Sequence, residues 1–171
     1  LGCARMTRAQ LLAELFNASP RSVAVGGTSG KSTVTGMIGW IASELSCDPT
    51  IMNGAVMRNF ADAEAPFASS QVGKGGLFIS EVDESDGSIA LFQPEIAVLN
   101  NITLDHKSLD ELRQLFGDFA ARATCTVWNA DDPESVALMK GKSKAVSFGF
   151  AENADYRAVD LVEAPLSVEF R

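Results

Sequence analysis

The sequence is short of cysteine, of basic residues, of histidine and of long apolar runs, and each shortage argues against a class of function. Its three cysteines, Cys3, Cys47 and Cys125, are widely scattered over 171 residues, and no Cys-x-x-Cys pair occurs. An odd, dispersed set argues against a disulfide framework or a cysteine zinc site and fits a reducing compartment, the cytoplasm. Lys and Arg number 14 against 22 Asp and Glu, for a formal charge of −8 and a pI near 4.6. A surface that follows a nucleic-acid backbone needs clustered cations, so nucleic acid is not an expected partner. A single nucleotide needs only a local positive site. No apolar run approaches the ~18 residues of a membrane-spanning helix, so no membrane partner is expected either. Internal repeats and low-complexity stretches are also missing. What remains is 46% apolar and 21% charged, the balance of one globular domain with a sizeable core. Because the chain opens at Leu1 rather than Met, the expectation is a fragment of a longer chain.

Short apolar runs alternate with helical segments. Thr7 caps an expected helix through Asn17, with Leu11, Leu12, Leu15 and Phe16 on one face and Pro20 as the break. Strands are expected at Ser22 to Val25, Thr50 to Met52, Leu77 to Val82, Glu95 to Leu99, Cys125 to Trp128 and Lys144 to Phe148. Helices are expected from about Ser32 to Leu45, from Leu109 to Ala123 and in a short piece ending near Met139. Residues 54 to 76 show no period and read as an irregular excursion closed by Gly73, Gly75 and Gly76. The tail from Tyr156 to Phe170 alternates enough for one or two antiparallel strands. Solid apolar strands between helices imply an α/β fold. The form expected is a P-loop-type, mostly parallel sheet with helices on both faces and a small antiparallel extension at the C-terminal end. Ligands of such sheets bind beyond the carboxyl ends of the strands.

Polar clusters stand at those ends. In Ser22-Val-Ala-Val-Gly-Gly-Thr-Ser-Gly-Lys-Ser-Thr33 a strand feeds a Gly-rich turn that feeds a helix. Glycines let backbone N–H groups approach phosphate oxygens, and the helix start adds partial positive charge. Lys31 would reach the terminal phosphates and Ser32 would ligate Mg²⁺. The long pattern G-x-x-x-x-G-K-[ST] would need glycine at position 25, where Val25 stands, so the match is to a shorter form, Gly27 to Thr33. Glu81 ends the next apolar strand and suits Mg²⁺, which takes one or two carboxylates plus phosphate oxygens. For Asp83, Glu84 and Asp86, which follow it, a metal role and a capping or solvated acidic turn stay open side by side. A third strand ends in Asn100-Asn-Ile-Thr-Leu-Asp-His106. His106 is the only histidine; as a neutral imidazole it could ligate a second divalent cation, with Asp105 orienting it. In Trp128-Asn-Ala-Asp-Asp-Pro133, Asn129 could meet an adenine edge, or the run could simply be a turn and a helix start with Pro133 at its first position.

Together these residues resemble the central domain of the Mur ligase family, over about residues 20 to 170. That family shows a Gly-Thr-x-Gly-Lys-[Ser/Thr]-Thr loop, a strand-terminal Glu, Asn-Ile-x-x-Asp-His and Asn-Ala-Asp-Asp, in this order. The string Glu81-Val-Asp-Glu-Ser-Asp-Gly-Ser88, with Ser147-Phe-Gly-Phe150 and Ala154-Asp-Tyr156, is similar to the muramate–alanine ligase branch and to its relative that reattaches recycled murein peptides. The resemblance implies an ATP-dependent ligation in which a carboxylate becomes an acyl phosphate and an amine then displaces phosphate. It implies that the loop Gly27, Thr28, Ser29, Gly30, Lys31, Ser32 and Thr33 binds ATP, that Ser32 and Glu81 hold a first Mg²⁺, that His106 helps hold a second and that Asn129 contacts adenine. Lys31, Glu81 and His106 are the expected catalytic set. The implied partners are a UDP-sugar carboxylate and an amino-acid or peptide amine.

The sequence departs from the family in three ways. Ser29 stands where the branch carries His or Asn, which is tolerable if the backbone amide does the work. Ala121 stands where some members carry a carbamylated lysine, so none is expected here. The family has three domains, so residues 1–19 are expected as a linker helix and residues 20–171 as a central ATP-binding domain truncated at its C-terminal end. Weak nucleotide binding and no turnover are expected of this piece by itself. Folylpolyglutamate and cyanophycin synthetases share the loop and the chemistry, but the acidic string favours the muramate branch. A non-catalytic nucleotide-binding module is a further reading, opposed by the joint presence of Lys31, Ser32, Glu81 and His106. A generic P-loop kinase or GTPase fits worse, because the loop is short and no Asn-Lys-x-Asp signal occurs.

Overall fold

The computed structural model describes residues 5–105 and 107–171. The chain runs α1 (Arg8–Asn17), β1 (Arg21–Gly26), α2 (Lys31–Glu44), β2 (Thr50–Met52), β3 (Ser70–Gln71), β4 (Leu77–Glu81) and β5 (Ile96–Leu99). It continues through α3 (Leu109–Arg122), β6 (Cys125–Asn129), α4 (Pro133–Met139), β7 (Ala145–Gly149), β8 (Tyr156–Arg157), β9 (Val162–Ala164) and β10 (Ser167–Glu169). Eight strands form one sheet in the order β3-β2-β4-β1-β5-β6-β7-β8, parallel except for β3. β9 and β10 form a separate antiparallel pair. β1 lies between β4 and β5, so the sheet grows one way to β2 and the other way to β6. That reversal opens a crevice beyond the carboxyl end of β1.

Strand alternation sorts the two faces. Ala24, Phe78, Ala97 and Leu99 belong to a core completed by Ala13 and Phe16 of α1, Phe116 and Phe119 of α3, and Met139 of α4. Phe16 meets Phe78 and Phe92 with ring centroids 5.4 and 5.1 Å apart. Burying each such phenylalanine contributes about 2–3 kcal/mol. On the other face Val25, Ile51 and Ile79 are fully buried, and α2 lies over them through Thr35, Gly39 and Ala42. Glu81 pairs in register with Val25 and stands two residues beyond Ile79, so it belongs to this α2 face.

Most expected elements are present, and the differences have local causes. Tyr156–Arg157 pairs parallel to β7 rather than antiparallel; of the described tail strands, β9 and β10 alone pair antiparallel. The excursion of residues 54–76 contains a one-turn 3-10 helix at Arg58–Phe60 and the short β3, which covers the edge of β2. Another 3-10 turn, Ser88–Leu91, follows the acidic loop. Elements this short carry no period for a sequence pattern to reveal. Among the described residues no helix is long and apolar enough to cross a membrane.

Candidate functional site

The site is built around the start of α2. An α-helix begins with N–H groups that have no intrahelical partner. Thr7, Ser108 and Asp132 cap α1, α3 and α4 by accepting a backbone N–H from the first turn. α2 has no such cap: its N-cap is Gly30, in the left-handed region at φ 78°, with no side-chain hydrogen bond. The amides of this first turn therefore face the crevice at the positive end of the helix.

The turn before α2 is clamped by the loop after β5. Gly27, at φ 139°, lies so close to Asn100 and Asn101 that a Cβ there would be 3.1 Å from both. Thr28 N–H donates to the Asn101 carbonyl at 3.0 Å, and the Thr28 hydroxyl exchanges hydrogen bonds with the Thr103 backbone at 3.0 and 3.2 Å. Ser29 N–H donates to Asn101 Oδ1 at 2.9 Å, while Asn100 and Asn101 side-chain amides donate to the Ser29 carbonyl at 2.7 and 3.0 Å. The idea that the Ser29 amide serves a phosphate does not describe this state, since Asn101 already engages it. The amides left to the crevice are those of the first turn of α2, beginning at Lys31.

Lys31 is folded back over its own loop. Its Nζ donates to the Gly27 carbonyl at 2.8 Å and lies 2.9 Å from Glu84 Oε2 and 3.1 Å from Glu84 Oε1. The Thr28 carbonyl stands 3.4 Å away. Only 15% of the Lys31 side chain and 8% of the Glu84 side chain are exposed. The acidic string thus divides by role. Asp83 accepts from Ser85 N–H and Oγ at 2.8 and 2.6 Å, and Asp86 accepts from Ser88 N–H at 2.8 Å. Those are Asx turns, and the Ser88 hydrogen bonds hold the Asp86 carboxyl below the usual aspartate range. Glu84 has no serine two residues on, and it is the one that enters the site. That Asp-x-Ser spacing is the sequence signal that separates the three acids.

Glu81 lies against Gly54, where any Cβ would collide with its carboxylate. Its Oε2 is buried and, among the described residues, has no hydrogen-bond partner. Asn53 links the two halves: its amide donates to the Ser32 carbonyl at 3.0 Å, and it lines both a cavity of about 420 Å³ with Ser32 and Thr33 and a small cleft of about 80 Å³ with Glu81. An unpartnered carboxylate oxygen on the α2 face of the sheet fits a hard divalent cation that takes one or two carboxylates, phosphate oxygens and water. Among the described residues no three His, Cys, Asp or Glu side chains converge on one point. His106, and with it any orientation by Asp105, lies outside the described residues.

Asn129 stands apart from this group. It is the last residue of β6, and its Oδ1 accepts the Asp131 N–H at 2.9 Å. It lines an apolar cavity of about 650 Å³ with Phe148, Phe150, Tyr156, Phe170 and Met37. Met37 also lines the cavity beside Ser32, so the two spaces flank α2. Sequence reasoning left Glu84 open between a metal role and a solvated acidic turn and did not pair it with Lys31; it missed Asn53 and Gly54 as members of the site, and Asn100 and Asn101 as its clamp.

A parallel sheet reversing at β1, with an uncapped helix start facing the crevice, places this chain in the doubly wound α/β class. The model of the Mur ligase middle domain matches residues 25–171, and the chain belongs to that family. It is 32% identical over 169 residues to the UDP-N-acetylmuramate–L-alanine ligase of Sulfurihydrogenibium sp. (strain YO3AOP1), covering 94% of this chain and 36% of that protein. It is 34% identical over 176 residues to the enzyme of the same name from Coxiella burnetii (strain RSA 493 / Nine Mile phase I), covering 97% and 36%. The crystal structure of a murein peptide ligase from Psychrobacter arcticus matches with a TM-score of 0.74 at 24% identity, over 95% of this chain and 39% of that one. That of the UDP-N-acetylmuramate–alanine ligase of Thermotoga maritima gives 0.72 at 24%, over 90% and 33%. The chain spans about a third of the length of its curated relatives.

Proposed function

We propose that this chain is the ATP-binding central domain of an ATP-dependent carboxylate–amine ligase that forms an amide on a UDP-N-acetylmuramate-type substrate in peptidoglycan synthesis or recycling. The observation that carries the reading is the uncapped, lysine-bearing start of α2 with a Glu81 oxygen on the same face of the sheet that has no hydrogen-bond partner among the described residues. Residues 1–19 are its lead-in and residues 20–171 the domain itself.

The reaction must bring an anionic carboxylate against an anionic phosphate, so charge neutralisation is the main demand. Lys31 and the first-turn amides of α2 hold the β- and γ-phosphates of ATP. Ser32 and Glu81 hold Mg²⁺, and His106 helps hold a second ion. Bound there, Mg²⁺ supplies Lewis-acid polarisation of the phosphoryl group. The substrate carboxylate takes the γ-phosphoryl group, ADP leaves, and the amine then displaces phosphate from the acyl phosphate. Asn129 contacts adenine through its NH₂. The relatives named as UDP-N-acetylmuramate–L-alanine ligases support this substrate class, and their greater length supports further domains for the sugar and the amine.

The test is phosphate release and amide formation by the complete protein carrying this domain, offered UDP-N-acetylmuramate with L-alanine or murein peptide. Tetrahydrofolate with glutamate, and cyanophycin primer with its amino acids, serve as competitors. Turnover with either competitor and none with the muramate would overturn the substrate. The 171-residue chain alone is expected to bind nucleotide weakly and to form no amide.

A further inference from the structure

We propose that Glu84 is a latch on the loop lysine: it occupies the Lys31 ammonium in the nucleotide-free domain and must be displaced before phosphate can bind. The proposal rests on the reading of the Gly27–Thr33 loop as a phosphate site and adds a regulatory element to it.

An ammonium has three donors and no acceptor. In this structure the Gly27 carbonyl, the Glu84 carboxylate and the more distant Thr28 carbonyl surround it. Two of these partners belong to the loop itself, and the third comes from the opposite wall of the crevice, 53 residues away in the chain. Both side chains are largely withdrawn from water, so the pair is only weakly screened by salt. A phosphate oxygen that approaches Lys31 meets an ammonium already neutralised and a carboxylate of its own sign. Binding therefore requires exchange of one anion for another. The Glu84 carboxylate is tethered at the start of a turn whose neighbours Asp83 and Asp86 are fixed by Asx turns, so the swing falls on the Glu84 side chain.

The arrangement gives a defined kinetic signature. The competent state is the one with Lys31 released, and apparent affinity falls by the fraction of molecules in that state. If the latch is closed in ~90% of molecules, removing it tightens binding about tenfold. The gain appears in the association rate, while dissociation stays unchanged. A carboxylate that only supported the fold, or one that positioned Lys31 for phosphate, would produce no such gain.

The experiment uses the complete protein carrying this domain and two probes, inorganic tripolyphosphate and MgATP, followed by titration calorimetry and stopped-flow binding. Wild type, Glu84→Gln, Glu84→Asp and Lys31→Met are compared, with a melt of each variant. Glu84→Gln is expected to bind both probes several-fold to tenfold tighter through faster association, with Glu84→Asp in between. Unchanged or weaker binding by Glu84→Gln, with wild-type binding still dependent on Lys31, overturns the latch and leaves the phosphate site standing. Binding of neither probe above the level of Lys31→Met overturns the phosphate site, and the latch with it. If Glu84→Gln melts far below wild type, Glu84→Asp carries the same comparison, and slower or equal association by it overturns the latch.

Discussion

The starts of α2 and α4 each follow the carboxyl end of a parallel strand and are built in opposite ways. At α4, Asp132 accepts the Ser135 N–H at 2.8 Å, the Ser135 hydroxyl at 2.6 Å and the Ile102 N–H at 3.2 Å, so a buried carboxylate saturates that helix end. At α2, glycine stands at the cap, and Glu84 bonds the Lys31 side chain and caps no amide there. One end is finished by the protein, and the other has no side-chain cap and, in the proposed function, receives the phosphates. An internal cap favours stability, and a missing one leaves first-turn amides open to a ligand, so the two ends make a test of the proposed phosphate site.

The comparison can be broken or sharpened by substitution. The largest effect is expected for Lys31→Met, which should cut MgATP or tripolyphosphate affinity by about two orders of magnitude or more, the loss of a charge-assisted contact in a site largely withdrawn from water. Calorimetry reads it; binding left intact would mean that the open helix end is not a phosphate site. The same change leaves Glu84 buried without its counter-ion and should lower stability by roughly 3 kcal/mol, with recovery in the Lys31→Met/Glu84→Gln double variant. Urea denaturation of the three proteins checks this. Asp132→Ala should cost about 2 kcal/mol, because it removes a cap and orphans buried donors. It should leave tripolyphosphate affinity where it was, and a matching loss of binding would erase the distinction between the two helix ends. Ser108→Ala should cost about 1 kcal/mol at α3, whose capping box is exposed. The smallest effect concerns pH. Hydrogen bonds from Ser108 hold the Glu111 carboxyl below its ordinary range. A carboxyl depressed in the folded state contributes stability that is present above its unfolded pKa and is lost as pH falls through the folded one. Melting points of wild type should therefore decline on acidification through and below the usual glutamate range, slightly more steeply than those of Ser108→Ala.

Much of this architecture was readable from residues that act locally. Thr7 announced α1, Pro133 announced α4, and the Gly-rich turn after Val25 marked the junction of β1 with α2. Solid apolar runs gave the parallel strands nearly to the residue. What escaped was set by partners distant in the chain. The Asp-x-Ser spacing sets Glu84 apart from Asp83 and Asp86, but its partner Lys31 emerges only from the fold. Asn100 and Asn101 read as the end of a strand, yet they hold the loop that precedes α2. Tyr156–Arg157 became parallel because β7 offered a free edge, a choice that two residues of sequence cannot express. Lys31, Ser32 and Glu81 were named from sequence and share one face of the sheet; Asn129 was named too, but it lines a different cavity.

The position of β1 has a consequence for how the molecule comes into being. Its hydrogen-bonding neighbours are residues 77–81 and 96–99, so during synthesis the central strand emerges long before either partner exists. No adjacent hairpin can shelter it in the meantime. Parallel pairings across such intervals fold slowly, because loop closure comes before any reward in contacts. The nascent chain must therefore carry an apolar segment unprotected through the translation of more than fifty further residues, and the ordered pocket can appear only after β5 has left the ribosome.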